Sequence, residues 1–372
     1  MTAESRKRLV FHTPSLRGGG AERVFVLMAN ELAARGHDVT YLTWNAEGPN
    51  AELLSGLVKL RDLGMAIQGE GFGKLPTLRG LIRTAAFLRR ARPDAVYSAP
   101  DFANLIVALA LWLSGSPAKF LPSYHAASAH PRTAFGSHAS VWLSKLVAAR
   151  ADKAIAVSEG VGRDLVARGF RSEGIVVINN PLPPPMPHAG VVYPWRVRLL
   201  AMGHGPVIAC IGRLVPVKDH RTLFRAFARL HAAWPARLIV FGEGPLEAEL
   251  RAFVRELGIA DNVLFAGYVN DPAACYAVAD LVVLSSLTEG FGNVLIEAMA
   301  AGVPVVSTDA PHGPREILDN GKYGALVPVG DAEALATAMA NALEQPLDAA
   351  RLQRRASDFE VTVIGDRYDA LL

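Results

Sequence analysis

The sequence predicts an α/β protein built from two Rossmann-like lobes, each a doubly wound parallel sheet, facing each other across a cleft. Three observations carry that expectation. Short apolar runs alternate with helical patterns through both halves, and the apolar runs are continuous, as in strands buried on both faces. A proline cluster separates the halves: Pro181, Pro183, Pro184, Pro185 and Pro187 cannot join a sheet interior and behave as a semi-rigid linker. Finally, 372 residues exceed one ordinary α/β core and suit two domains of about 150–200 residues. The expected division is a first domain at 1–185, a second at 186–355, and a C-terminal helix at 356–372 returning toward the first.

In the first domain Leu9–His12 reads as a strand, Ala21–Arg35 as an amphipathic helix and Asp38–Thr43 as a strand. A Gly-rich loop leads to helix Leu75–Ala91, strand Ala95–Ser98, helix Phe102–Leu113 and strand Phe120–Ser123. Helix Ala139–Arg150, strand Lys153–Val157, helix Gly160–Arg168 and strand Ile175–Ile178 complete it. After the prolines the alternation restarts with strand Pro206–Ile211, helix Arg221–Ala233, strand Ala236–Phe241 and helix Leu246–Leu257. Strand Val263–Phe265, helix Pro272–Ala279, strand Leu281–Leu284, helix Asn293–Ala301, strand Val305–Ser307 and helix Asp331–Glu344 follow, with Phe359–Leu372 again helical.

Composition narrows the function classes. Hydrophobic residues at 51% and charged residues at 20% support a large core and exclude global disorder. Cys210 and Cys275 show no pairing pattern and read as buried thiols of a reducing compartment. No stretch reaches the roughly 18 apolar residues of a membrane span; the longest run, Leu105–Leu113, reads as a buried helix. The expected location is cytoplasmic, with peripheral attachment to a membrane as an extension. Net charge is only +3, but Arg79, Arg83, Arg89, Arg90 and Arg92 crowd one helix. Arg79, Arg83 and Arg90 share a broad face opposite Leu81, Ala85 and Leu88, which suits either solvent or contact with anionic membrane lipid. No aromatic residues interleave with these arginines, so nucleic acid is not an expected partner.

The sharpest local signal is the run Glu289-Gly290-Phe291-Gly292-Asn293-Val294-Leu295-Ile296-Glu297. A strand precedes it and a helix grows out of it, so its first amides and the positive helix end face whatever sits above the strand. A diphosphate suits that place, and the two carboxylates suit the hydroxyls of a sugar and a ribose. Asn293 reads as an N-cap. Gly18, Gly19 and Gly20 end the first strand and let backbone amides approach an anion; because position 23 is Arg23, this is not a dinucleotide fingerprint. Arg213 and Lys218 follow a strand end, where two fixed cations bind a diphosphate and stabilise charge growing on it. His130, His138 and His312 show no metal-ligand spacing with His125, and no metal is expected for chemistry.

Gly18-Gly19-Gly20-Ala21-Glu22-Arg23, Gly212-Arg213-Leu214, Gly242-Glu243-Gly244-Pro245 and the pair Glu289 and Glu297 occur in this order. As a set they resemble the GT-B retaining glycosyltransferases of family 4, over nearly the whole chain. The resemblance implies that Arg213 and Lys218 serve the diphosphate, Glu297 the ribose hydroxyls, and Glu289 and His125 the donor sugar. It places Glu243 and Val269 at the nucleobase, with the amides of Phe291, Gly292, Asn293 and Val294 facing the diphosphate or sugar. Gly313-Pro314-Arg315-Glu316-Ile317-Leu318, together with Asn293, is similar to members that use UDP-linked sugars. The implied reaction moves a hexose or N-acetylhexosamine from a nucleotide-diphosphate sugar to a glycan or lipid-linked acceptor, with no separate cofactor. A UDP-sugar epimerase on the same fold and a non-catalytic nucleotide-sugar-binding scaffold remain the alternatives.

Overall fold

The computed structural model describes residues 6–65, 73–126, 143–184 and 193–372. The expected helix start at Ala139, together with His130 and His138, lies outside them. Two compact units emerge, one of Met1–Pro181 with Val361–Leu372, the other of Leu182–Glu360.

The first unit runs β1 (Arg8–Ser15), α1 (Gly20–Ala34), β2 (Asp38–Asn45), β3 (Lys59–Asp62), α2 (Lys74–Ala91), β4 (Ala95–Ser98) and α3 (Asp101–Ser114). It continues with β5 (Lys119–Tyr124), helix α4 over residues 143–150, β6 (Ala154–Ala156), α5 (Glu159–Ala167) and β7 (Ile175–Val177). Seven parallel strands lie in the order β3-β2-β1-β4-β5-β6-β7. The sequence reading left β3 inside a loop. Its four residues, Lys59-Leu60-Arg61-Asp62, are all exposed on the sheet edge and carry no buried-strand pattern.

One face of this sheet packs Phe11 flat on Tyr97 at 4.7 Å, with Phe25 of α1 edge-on to Phe11. The final helix, counted below as α14 (Val361–Asp369), joins that core through Ile364 and Tyr368. The Tyr97 hydroxyl donates to the Tyr368 carbonyl at 2.8 Å, and Arg35 and His37 bond Asp366 and Asp369. The other face buries Trp44, whose indole N–H donates to Thr84 Oγ1 at 2.9 Å. Helix α2 crosses directly over that ring at Gly80, where a Cβ would come within 2.6 Å of it.

The second unit runs α6 (Pro194–Ala201), β8 (Val207–Ile211), α7 (His220–Ala233), β9 (Arg237–Phe241), α8 (Glu247–Glu256), β10 (Val263–Gly267) and α9 (Pro272–Tyr276). Then come β11 (Leu281–Leu284), α10 (Asn293–Ala300), β12 (Val305–Thr308), α11 (Pro314–Ile317), β13 (Ala325–Val327), α12 (Ala332–Glu344) and α13 (Ala349–Ser357). Its six parallel strands follow the order β10-β9-β8-β11-β12-β13. The order reverses between β8 and β11, and at such a switch point the loops leaving two neighbouring strands diverge and open a crevice. The helix expected at Phe359–Leu372 is α14, which belongs to the first unit, and α13 in the second unit is an addition to the sequence reading. Helix α6 and strand β13 are additions to the sequence reading.

Four titratable groups of the interior are shifted by burial. Cys210 and Cys275 are buried and unpaired in any disulfide, and burial pushes both thiols up to about 12. His12 and His220 are buried as well. Burial lowers each to about 4, opposed at His12 by a bond to the Leu42 carbonyl and reinforced at His220 by Lys218. The unfolded chain therefore binds protons that the native rings refuse, so stability rises with pH across this window and falls on acidification. Between pH 7 and pH 5 the expected loss is about 2 kcal/mol for each ring. Urea unfolding at the two pH values checks this, and His12→Gln should flatten the dependence.

Candidate active site

The candidate site residues of the second unit sit on loops that leave the carboxyl ends of β8, β9, β10 and β11, or in the first turns of α10. The loop after β8 carries Arg213 and Lys218, and the loop after β11 carries Glu289. These two loops flank the switch point, and main-chain bonds tie them together: Leu287 N–H donates to the Val217 carbonyl at 2.8 Å. Ser285 Oγ donates to the Lys218 carbonyl at 2.9 Å. The tie brings side chains 71 residues apart into contact, so that Lys218 Nζ lies 2.6 Å from Glu289 Oε1. Ser286 Oγ donates to the same carboxylate oxygen at 2.6 Å. The lysine stem lies along Gly212, where a Cβ would meet Lys218 Cε at 3.5 Å, an ordinary van der Waals contact. The Arg213 guanidinium is exposed and forms no ion pair among the described residues. Such a cation retains its full charge for an incoming anion.

The loop after β9 explains Gly242-Glu243-Gly244. Gly242 adopts φ +133°, and a Cβ on it would come within 2.0 Å of the Gly212 carbonyl oxygen. A Cβ on Gly244 would reach the Leu214 carbonyl oxygen at 2.4 Å. Both glycines thus permit backbone-to-backbone packing against the Arg213 loop, secured by Leu214 N–H donating to the Glu243 carbonyl at 2.9 Å. Glu243 itself is exposed, and its carboxylate accepts from the Tyr268 amide at 3.3 Å, beside Val269.

Helix α10 begins differently from the sequence expectation. Gly292, in the left-handed region at φ +107°, is the N-cap, and Asn293 is the first helical residue. A glycine cap has no side-chain oxygen with which to satisfy the first-turn amides. By contrast, Asp219, Asp271, Asp331 and Asp348 cap α7, α9, α12 and α13 with their own carboxylates. Phe291 is buried edge-on against Phe359 at 5.7 Å and anchors the loop, while Asn293 and Val294 are half-buried. One turn on, Glu297 is fixed by the buried Tyr276, whose hydroxyl donates to Oε2 at 2.7 Å.

Two of the predicted features belong to the first unit. The amides of Gly18 and Gly19 have an internal acceptor: Glu22 Oε2 takes them at 3.0 and 3.1 Å. Ser15 Oγ donates to Oε1 of the same carboxylate at 2.7 Å. The expectation that these two amides face a ligand is thereby corrected, since the anion at the start of α1 is the protein's own carboxylate. Gly20 opens the helix itself. His125 follows β5, packs against Phe25 of α1 at 5.8 Å, and shares a hydrogen bond of 3.0 Å with Ser123. Burial of the ring lowers it to about 4, so it is neutral at physiological pH.

Sequence reading missed Ser286, Tyr276 and Glu22. Ser286 stands three residues before Glu289, and Glu22 stands three after the Gly19 N-cap, so both were visible as short-range spacings. Tyr276 gave no signal, because its partner lies on another helix. Among the described residues no three His, Cys, Asp or Glu side chains cluster as metal ligands.

Both halves of the chain are similar to known proteins. Residues 18–184 match the family described as Glycosyltransferase Family 4, and residues 205–345 match that described as Glycosyl transferases group 1. Over 366 residues the chain is 29% identical to the lipopolysaccharide core biosynthesis glycosyltransferase LpsE of Rhizobium meliloti, covering 96% of each. It is 30% identical over 191 residues to the lipopolysaccharide 1,6-galactosyltransferase of Salmonella typhimurium, 48% of this chain and 49% of that one. Among solved structures, Anabaena HepE in complex with UDP and glucose superposes with a TM-score of 0.79 at 23% identity, over 98% of this chain and 99% of that one. The outer core galactosyltransferase WaaB, in its apo form, gives 0.73 at 20% identity over 97% and 98%.

The geometry generates one structural prediction. Gly313 has φ +111°, and a Cβ on it would overlap the Phe291 carbonyl oxygen at 2.0 Å. Gly313→Ala is expected to cost about 2 kcal/mol or more in stability. Thermal unfolding measures it, and an unchanged midpoint would show that the Phe291 loop is not held by this contact.

Proposed function

The chain belongs to the GT-B glycosyltransferases of family 4, group 1, and from that premise we propose that it transfers a hexose or N-acetylhexosamine from a UDP-linked donor to a glycan or lipid-linked acceptor hydroxyl, with retention of anomeric configuration. The observation that carries the reading is the Lys218–Glu289–Ser286 constellation at the switch point, with Arg213 beside it. As the sugar leaves, negative charge grows on the nucleotide diphosphate. Arg213 and Lys218 stabilise that charge in place, and the uncapped start of α10 adds its dipole. Glu289, held by Lys218 and Ser286, presents a fixed carboxylate beside the donor sugar. Glu297, oriented by Tyr276, accepts from the ribose hydroxyls. Glu243 and Val269 border the base.

A neutral His125 suits a hydrogen bond to a sugar hydroxyl and adds no charge. With no covalent nucleophile among these residues, the departing phosphate itself takes the acceptor proton on the face it leaves. The names of two relatives support an acceptor in lipopolysaccharide or polysaccharide synthesis, and the HepE complex supports a UDP-linked donor. Arg213 and Lys218 supply the positive charge that a divalent ion provides elsewhere, so EDTA is expected to leave turnover unchanged.

Slow hydrolysis of UDP-hexoses without acceptor, followed by proton NMR, tests the chemistry. The α-anomer should form first, and Lys218→Ala should lower the rate by about 10²–10³-fold. A β-anomer as first product would overturn the retaining reading. A UDP-sugar converted to its epimer without UDP release would favour the isomerase alternative.

A further inference from the structure

Strands β11 and β12 pair in parallel as far as Leu284 and Ser307, and there the main-chain ladder ends. Beyond it the chain departs for the loop after β8, to which Ser285 and Leu287 join it, while Ser286 stays fully buried. A buried carbonyl that has left its ladder needs another donor. For Ser286 that donor is Thr308, the last residue of β12 and itself fully buried. Thr308 Oγ1 donates to the Ser286 carbonyl at 2.7 Å, with the Leu284 carbonyl farther off at 3.4 Å. The chain after Thr308 holds the same loop twice more. The Glu289 amide donates to the Pro311 carbonyl at 3.1 Å, and Gly313 lies against the Phe291 carbonyl. Between those two contacts His312 adopts φ +70°, a left-handed conformation that is costly for a residue bearing a Cβ. The segment from Thr308 to Gly313 thus grips the Glu289 loop at the Ser286 carbonyl, the Glu289 amide and the Phe291 carbonyl.

We propose that Thr308 is a positioning residue for the transfer: by fixing the Ser286 main chain it sets the Ser286 hydroxyl on Glu289, and so decides which carboxylate oxygen the donor sugar meets. Oε1 of Glu289 already accepts from Lys218 Nζ and from Ser286 Oγ, each at 2.6 Å. No side chain among the described residues donates to Oε2, which is therefore the oxygen presented to the sugar. Valine at position 308 has nearly the same shape as threonine but no hydroxyl, so it leaves the Ser286 carbonyl without its donor and releases the Ser286 peptide. Lys218 then holds the carboxylate alone, on a flexible four-carbon stem. The inference rests on the donor-sugar role proposed above for Glu289.

Rates of UDP-hexose hydrolysis and calorimetric titration with UDP, on the full chain, test the proposal in Thr308→Val, Thr308→Ser, Ser286→Ala and the Thr308→Val/Ser286→Ala double variant. Thr308→Val should slow turnover about tenfold, as a small misplacement of a reacting group does. Affinity for UDP, which carries no sugar, should stay at the wild-type value. Thr308→Ser should recover the rate yet unfold earlier than the wild type, because it keeps the hydroxyl and loses a buried methyl group. If Thr308 merely tied β11 to β12, the rate would instead follow the unfolding midpoint through the series. Ser286→Ala should slow turnover by itself, and since Thr308 acts through Ser286, the double variant should be no slower than Ser286→Ala. Losses that multiply in the double variant, or a wild-type rate in Thr308→Val, would overturn the proposal. A crystal structure of Thr308→Val gives a readout without turnover: Ser286 Oγ should lie beyond hydrogen-bonding distance of Glu289 Oε1, and an unmoved contact would overturn the proposal. A wild type that hydrolyses no UDP-sugar, combined with a displaced Ser286 in that crystal structure, would overturn the donor reading and leave the hold of Thr308 on Glu289 standing.

Discussion

The fork between β8 and β11 is the constraint on which the rest of the second unit's chemistry depends. Parallel strands that leave in opposite directions along the sheet open a crevice, and what fills it is decided by the two departing loops. Here the loops are stitched by the Leu287 amide to the Val217 carbonyl and by the Ser285 hydroxyl to the Lys218 carbonyl. That stitching sets Lys218 and Glu289 in contact. A lysine on a flexible stem has much rotamer entropy to lose, and a half-buried position between a glycine and a fixed carboxylate removes most of it in advance. The ion pair therefore acts less as a source of stability than as a way of storing geometry, which matches the small net worth of most such pairs.

Glycine does a related job in three places. Gly242 and Gly244 let one loop lie directly on the backbone of the Arg213 loop, and Gly313 does the same for the Phe291 loop. At each of these positions a methyl group would collide with main-chain atoms, so the cost of substitution cannot be relieved by a side chain moving aside. The first unit uses the glycine-rich turn for another purpose. Glu22 folds back onto the amides of Gly18 and Gly19 and completes the turn from within.

Much of this was legible in the sequence, and the misses share a cause. Leu281–Leu284 and Ala95–Ser98 were readable to the residue because continuous apolar runs are the signature of strands covered on both sides. β3 was not, because an edge strand with four exposed residues has no burial to record. The roles proposed for Arg213, Lys218, Glu289 and Glu297 rest on an ordered set of short motifs, each uninformative alone. Asn293 was misread as a cap because propensity favours asparagine, while the left-handed conformation one residue earlier demanded glycine. The Tyr276 bond to Glu297 and the Arg83 bond to the Leu63 carbonyl depended on partners that only the tertiary fold supplies.

The central claim is that the second unit holds a nucleotide-sugar donor through Arg213, Lys218 and Glu297. Calorimetric titration of UDP, GDP and ADP with their common sugars, on the wild type and on Glu297→Ala and Arg213→Ala, addresses it most directly. The account predicts micromolar binding of one UDP-sugar, lost in both variants. A folded wild type that binds no nucleotide, or variants that bind as tightly as the wild type, would contradict it.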